Sequence, residues 1–381
     1  MIDMIIKRLE EIAEKSEHNG YWFKLKDVIK VLFLGLFCGQ QTLQDILSWA
    51  NSPYANEVLR VYFEIRKLPC YSHFANLVAL IKSDELNRAF MEIFGELVSA
   101  VQFKTIAIDG KTVCSTANMK SRQSALHIAS AYVTELRITI GQLAVEDKKN
   151  EISAVQELIK LLDVSNAMVV ADALNCQKKT AKLILSGGGD YLLAVKKNHR
   201  SLYDDVAEMI EFKRKDVFEI RNAPLGKTSK CEKGHGRIDK RTAYVTDDIS
   251  ELESYAKWEN MECIGMVQTN EETRYYISSR KLTAEELLYY SRNEWAVESM
   301  HWQLDVIFGE DRCLAKDENV QKTLNILRKT VLNIVRIYKM QTNSKLPMSR
   351  IMKNCSFDPD LLIEILTILN DWHNITKMLQ N

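Results

Sequence analysis

The chain has 381 residues, 46% of them hydrophobic, with five prolines and 14 glycines; such a chain can bury one or two cores and is neither fibrous nor disordered. Its 51 Lys and Arg balance 51 Asp and Glu, which excludes a polycationic nucleic-acid coat and leaves only a local patch for any nucleic-acid contact. Eight cysteines, at 38, 70, 114, 176, 231, 263, 313 and 355, form no CxxC pair. That excludes a zinc ribbon or a disulfide framework and fits reduced thiols in a cytoplasm. No signal-peptide pattern is expected at the N-terminus, and the longest apolar run, Val31 to Gly39, is too short to span a bilayer.

The first hundred residues read as helices: Ile2–Lys15, Leu25–Cys38, Thr42–Ala50, Ala55–Arg66 and Ser83–Val101, with Pro53 and Pro69 in the gaps. No clustered polar set appears on them, so residues 1–100 are expected to form a helical domain that packs, binds DNA or dimerises. The pattern changes at Lys104. TIAIDGK (105–111) is a short apolar run ending at Asp109, and ALHIASAYVT (125–134) with LRITIGQLAV (136–145) reads as an antiparallel pair joined tightly near Glu135. Glu151–Asp163 is an amphipathic helix with Ile152, Val155, Ile159 and Leu162 on one face. AMVVADAL (167–174) ends in a second acid, Asp172; Asn175–Ser186 is a helix with Lys178, Lys179 and Lys182 outside; YLLAVKKNHR (191–200) ends in a basic cluster containing Lys196 and Lys197. Strands followed by alternating helix and strand indicate a mixed α/β sheet, and uninterrupted apolar runs indicate strands buried on both faces.

Between Lys213 and Lys281 the chain reads as a β-rich insertion, with strand-like VFEIRNAP (217–224), IDKRTAYVTD (238–247), ECIGMVQTN (262–270) and TRYYISSR (273–280). A glycine-bearing loop is expected over Leu225–Arg237. Lys227, Lys230, Lys233, Arg237, Lys240 and Arg241 there outnumber Glu232 and Asp239. Beside Gly234 and Gly236 such cations fit either a solvated loop or contact with DNA phosphates.

Leu282 to Asp311 stands apart. Thr283 and Glu286 form a capping-box start, and no Pro or Gly interrupts the chain as far as Phe308, so one long helix is expected. Leu288, Trp295 and Trp302 recur at seven-residue steps, and Arg292, Glu298 and Asp305 share that stripe. A buried carboxylate without a partner costs several kcal/mol. Glu298 on that reading takes its countercharge from Arg292 or from a metal. His301, three residues on, reads as a hydrogen-bond donor near the site or as a metal ligand. Asn319–Tyr338 is an amphipathic tail helix expected to pack on the sheet, followed by polar and helical pieces to the end.

Asp109 and Asp172 each close a short apolar run, and strand ends in open α/β sheets are where ligands bind. Asp109-Gly110 equally fits a type I′ turn, and Asp172 equally fits a cap for the helix at 175–186. With Glu298 they form a set that can converge. Three carboxylates at one point raise one another's pKa, divalent cations remove that penalty, and oxygen-only ligands favour Mg²⁺ or Mn²⁺. Two such ions about 3.5–4 Å apart activate water and stabilise a leaving oxygen in phosphoryl transfer. A small-molecule α/β enzyme is disfavoured because no Gly-rich loop follows a strand; the GGG at 187–189 follows a helix.

In order and context, IAIDGK, VVADAL, YLLAVKKN, GHGRID and NEWAVES followed by HWQLDV resemble a bacterial insertion-sequence transposase of the DDE type, H-repeat-associated subfamily. The resemblance covers nearly the whole chain. It implies an RNase H-like catalytic core over about 101–345, with the β-rich insertion at about 214–281, a helical N-terminal domain over 1–100 and a C-terminal helical tail at 346–381. It places the catalytic, metal-binding acids at Asp109, Asp172 and Glu298, with two Mg²⁺ or Mn²⁺ ions expected. It implies cleavage and strand transfer of DNA carrying terminal inverted repeats, in a homodimer at the nucleoid. His235, Gly236 and Arg237 match a family element, which adds to the DNA-contact reading of Lys196, Lys197, Lys227, Lys230, Lys233, His235, Arg237 and Arg241. Arg292, Trp295, His301, Trp302 and Asp305 would support the site. The family's tyrosine–arginine–glutamate–lysine signature is met in part, by Tyr289 or Tyr290, Arg292 and Glu298. Its lysine is replaced by Asp305, Glu294 stands where arginine is common, and Ser299 stands where asparagine is usual. Arg312, Lys196 or Lys197 could take over the lysine's DNA contact. A DNA-binding relic and a stand-alone RNase H-like nuclease are the alternatives.

Overall fold

The structure is a computed structural model of the whole chain. It describes all residues except 17–21, 100, 102, 114–124, 146–149, 220–224, 235–236, 314, 372–374 and 379–381. Six helices come first: α1 (Ile2–Ser16), α2 (Leu25–Phe37), α3 (Leu43–Ala50), α4 (Pro53–Tyr62), α5 (Tyr71–Ala79) and α6 (Ser83–Ser99). Helix α5 carries little periodic contrast and was not expected. Helix α2 is buried along nearly its whole length, which explains its uninterrupted apolar sequence.

One sheet of nine strands follows: β1 (Thr105–Val113), β2 (Leu126–Val133), β3 (Ile138–Val145), β4 (Met168–Ala171), β5 (Asp190–Val195), β6 (Gly226–Gly234), β7 (Arg237–Thr246), β8 (Cys263–Gln268) and β9 (Thr273–Ser278). Its order is β3-β2-β1-β4-β5-β9-β8-β7-β6. Strands β1, β4 and β5 are parallel, and β2 and β3 fold back antiparallel on β1. Helices α7 (Glu151–Leu161) and α8 (Lys178–Ser186) cross between β3, β4 and β5. This is the mixed sheet of an RNase H-like core, as expected. Central β4 is buried at every position, as a parallel strand covered on both faces must be.

The insertion extends that same sheet, because β9 pairs with β5 and carries β8, β7 and β6 outward. Two expectations fail here. Val217–Glu219 closes helix α9 (Arg200–Glu219) rather than opening a strand, and 220–224 lie outside the described residues. Leu225–Arg237 is mostly strand, not loop: β6 pairs with β7 from Gly226↔Val245 to Gly234↔Arg237. Its Lys-rich alternation has polar groups on both faces because an outermost strand is wet on both, and charge there also blunts edge pairing.

The expected long helix is two: α10 (Ala284–Asn293), opened by the Thr283–Glu286 capping box, and α11 (Ala296–Phe308). Glu294 and Trp295 form the joint, with no Pro or Gly, so the break is imposed by tertiary contacts. The expected buried stripe breaks with it. Leu288 is buried, but Trp295 is 41% and Trp302 62% exposed, and Arg292 and Glu298 are exposed as well. Helix α12 (Glu318–Thr342) then packs on the sheet edge, where Asn333 brackets Thr139 of β3 through both backbone groups at 3.0 and 2.7 Å. Helices α13 (Met348–Cys355) and α14 (Pro359–Ile368) end the fold. The seven described cysteines are free thiols, and no described helix is long and apolar enough to cross a membrane.

Candidate active site

The parallel register of β1 and β4 builds the centre of the site. Ile108 pairs with Ala171, so Asp109 and Asp172 are the next residues on two neighbouring strands. Strand β4 ends at Ala171, whereas β1 continues to Val113 paired with β2. Asp109 therefore sits within a strand, opposite Ser130, and not at a strand end or in a type I′ turn. The polar DGKT segment reads as a turn but is held in the sheet by the apolar strand beside it. Asp172 does not cap α8, whose N-cap is Gln177. Its Oδ1 accepts instead from the backbone N and the Nδ2 of Asn175, at 3.1 and 3.0 Å.

The two acids are electrostatically coupled. Burial, then the charge of Asp172, then Glu151 and Glu298 push the Asp109 carboxyl up to about 7, against a hydrogen bond from the Gly110 backbone. Glu298 reaches Asp109 through its field, from a solvent-exposed place on α11. Its own pKa is raised by burial of part of the group and lowered by Arg274. The expected choice of Arg292 or a metal as its countercharge assumed a buried Glu298, which is instead exposed. Arg274, a lone charge in the sequence of β9 with nothing there to mark it, also acts on Glu298. It lies 4.2 Å over the Trp295 ring, 2.6 Å from Glu272 and 3.9 Å from Glu294.

His301 lies one turn after Glu298, with Nδ1 3.6 Å from Asp109 Oδ2. Burial, helped by Lys329 and Lys111, drives its pKa down to about 3. The ring is therefore neutral and leaves the Asp109 charge uncompensated. Asp305, where the family signature has lysine, is bonded by Lys111 at 2.5 Å, and Lys111 also bonds the buried Glu310 at 2.9 Å. The acid at 305 is thus neutralised by a cation from β1, two residues after Asp109. Tyr289 and Tyr290 turn to other partners, Glu135 and Arg280.

Glu294, two residues after the signature arginine Arg292, is largely buried against Tyr276, whose hydroxyl donates to it at 3.2 Å. Burial, with Asp172 adding, pushes it up to about 8 against Arg274, Tyr276 and Lys196. Between pH 4.5 and 8 the unfolded chain has released this proton and the folded chain has not, so stability falls as pH rises through that window. Glu294→Gln is expected to flatten the fall in Tm between pH 5 and 8. Parallel Tm curves for the two proteins would contradict it.

The predicted DNA contacts divide. Lys196 and Lys197 are exposed just past β5, at the same end of the sheet as Asp172. Lys227 and Lys230 are exposed on β6, and Arg241, the register partner of Lys230, is half-buried on β7. Arg241 helps line a 260 Å³ cavity with Thr269, Arg274, Tyr276, Ser291 and Trp295. Arg312 is exposed in the turn after α11. The side chains of Lys233, His235 and Arg237 lie outside the described residues.

Sequence reading missed Glu151, Asn175 and His127, which surround the aspartates. The lone His in the otherwise apolar run of β2 was their one local signal. Glu151 Oε2 lies 2.9 Å from His127 Nε2. Gly110 makes room for the pair, since a Cβ there would lie 2.4 Å from His127 Nε2 and 2.7 Å from Glu151 Cδ. Both partners are buried, so Gly110→Ala is expected to lose about 1–3 kcal/mol of stability, as overpacking does, read as a lower urea midpoint. An unchanged midpoint would contradict this packing.

As a metal-binding group the set is incomplete. Among the described residues no three His, Cys, Asp or Glu side chains are gathered closely enough to hold an ion. Asp109 and Asp172 nonetheless fit one: they are oxygen donors side by side, and the crowded negative charge on Asp109 is what a divalent cation relieves. Glu298 is not gathered with them.

An RNase H-like sheet with one acid on β1 and a second just past the end of neighbouring β4 is the setting of this site. Residues 102–334 match the family described as "Transposase DDE domain", and the chain belongs to that family. It is 29% identical over 378 residues to "H repeat-associated putative transposase YhhI" of Escherichia coli (strain K12), spanning 94% of this chain and 97% of the relative. It is 30% identical over 349 residues to "Putative transposase YncI" of Escherichia coli O157:H7, spanning 88% of each. The chain is a transposase in kind, and DNA is its partner.

Proposed function

We propose that this transposase cuts DNA at the ends of its own mobile element and joins the released ends to target DNA, with Asp109, Asp172 and Glu298 as the catalytic acids. The observation that carries the reading is the register of β1 and β4, which sets Asp109 beside Asp172 in a chain of this family. The three acids would hold two Mg²⁺ or Mn²⁺ ions, which when bound supply an activated water and stabilise the leaving oxygen. Asp109 and Asp172 would supply paired oxygens from rigid strands. Glu298, on the exposed face of α11, would close on the DNA side. The neutral His301 would orient the Asp109 carboxylate without competing for its charge. Lys196, Lys197, Lys227, Lys230 and Arg241, with Lys233, His235 and Arg237, would neutralise DNA phosphates, each adding to the salt dependence of binding. Two ends must be held together, so a homodimer at the nucleoid would be the working form.

The test is incubation with DNA carrying the element's terminal inverted repeats and Mg²⁺ or Mn²⁺. The expected products are strand cleavage and a strand-transfer joint. Cleavage without a joint indicates a stand-alone nuclease. Binding without cleavage indicates a silent relic, a reading favoured by the ungathered Glu298 and by acids at both 294 and 305.

A further inference from the structure

We propose that Glu151, His127 and Asn175 are positioning residues that hold the carboxylate of Asp172 for its ligand; this rests on the reading of Asp109 and Asp172 given above. Glu151 opens α7, and an acid in a first helical turn ordinarily faces water near the N-terminal amides. This one is 3% exposed and turns inward against β2. Its Oε2 meets Nε2 of His127, which is 1% exposed, at 2.9 Å, and Nδ1 of that ring meets the Thr112 hydroxyl at 2.9 Å. Nδ1 shares a hydrogen bond with the Thr112 hydroxyl, while Nε2 packs against the carboxylate at close range without hydrogen-bond geometry.

The other oxygen of Glu151 reaches the site. Asn175, fully buried, spreads one amide nitrogen between Glu151 Oε1 at 3.3 Å and Asp172 Oδ1 at 3.0 Å. Its backbone N–H adds a second bond to the same Asp172 oxygen at 3.1 Å. Close polar contacts thus link Thr112 on β1, His127, Glu151, Asn175 and Asp172, and the links from Glu151 through Asn175 to Asp172 are hydrogen bonds. Two bonds to Oδ1 fix the rotation of that carboxylate, so Oδ2 is presented in one direction. Groups that orient a ligating carboxylate from behind typically change metal affinity by about 10–100-fold when removed.

A purely structural role would be to pin α7 to the sheet, and metal binding separates the two. Full-length Glu151→Gln keeps the size of the side chain, and Asn175→Ala removes the bridge without substituting any residue of α7. Mn²⁺ binding by paramagnetic resonance, and single-turnover cleavage across a Mn²⁺ titration, would be measured beside urea unfolding. The expected result is about 10-fold or more weaker Mn²⁺ binding in Asn175→Ala and a shift in the same direction in Glu151→Gln, with cleavage recovering at high Mn²⁺. Wild-type Mn²⁺ affinity and wild-type metal dependence of cleavage in both variants would overturn the inference alone, whether or not their unfolding midpoints move. A wild-type protein that neither binds Mn²⁺ nor cleaves would overturn the parent reading, and this inference with it.

Discussion

Asp109→Asn, Asp172→Asn and Glu298→Gln are each expected to reduce metal-dependent cleavage of terminal-repeat DNA by about a thousandfold or more while leaving DNA binding nearly unchanged. Metal-held charge stabilisation contributes several kcal/mol to such a transition state, and each 1.36 kcal/mol is tenfold in rate. The aspartates are the firmer half of the expectation. Asp109 and Asp172 follow the register pair Ile108↔Ala171, and the upward shift of Asp109 to about 7 shows how strongly burial and neighbouring acids oppose its charge. Asparagine keeps the shape and removes the charge. Gel-based cleavage and filter-binding assays on the same preparations separate catalysis from binding. If all three variants cleave at the wild-type rate, the acids are not catalytic.

The second large effect concerns stability. Lys111 is 12% exposed and holds both Glu310, 1% exposed, and Asp305. Burial alone would raise the Glu310 pKa, but Lys111, Arg328 and Lys329 outweigh it and hold the carboxyl below its ordinary value. Lys111→Ala leaves that buried charge without its nearest cation, and breaking a buried pair from one side costs about 3–5 kcal/mol. A large fall in Tm is expected, partly recovered in Lys111→Met combined with Glu310→Gln, where neither member of the pair is left charged. Because the folded pKa of Glu310 lies below the unfolded one, its contribution is complete above about pH 4.5 and is lost as pH falls through the folded value. A Tm for Lys111→Ala within a degree of wild type would contradict this account of the buried charges.

The core sheet was legible because its signals are local. Leu126–Val133 and Ile138–Val145 are apolar strands separated by a tight turn, and Met168–Ala171 is an uninterrupted buried run. Asp109 was legible as a candidate and its setting was not. The polar residues after it look like a turn, and only the pairing of Gly110–Val113 with Leu126–Ala129 makes them strand. The joint at Glu294–Trp295 had no breaker residue. It coincides with a carboxylate held by Tyr276 and Arg274 from β9, nearly twenty residues away in sequence. Trp295 and Trp302 satisfy a heptad on paper, yet both face outward beside the site. A seven-residue spacing cannot tell a core stripe from an exposed aromatic one. Lys111, Glu151, Asn175 and Arg274 were missed because each is an ordinary polar residue whose partner comes from another element.

The acids at 294 and 305 have the same kind of partner. Glu294 and Asp305 each meet a cation from the sheet, Arg274 from β9 and Lys111 from β1.

The most direct measurement is anomalous diffraction from crystals of the full chain soaked in Mn²⁺. The account predicts a Mn²⁺ peak at the carboxylates of Asp109 and Asp172, with Glu298 drawn toward it. A fully soaked crystal with no peak at these aspartates, or with the ion bound at an unrelated place, would contradict it.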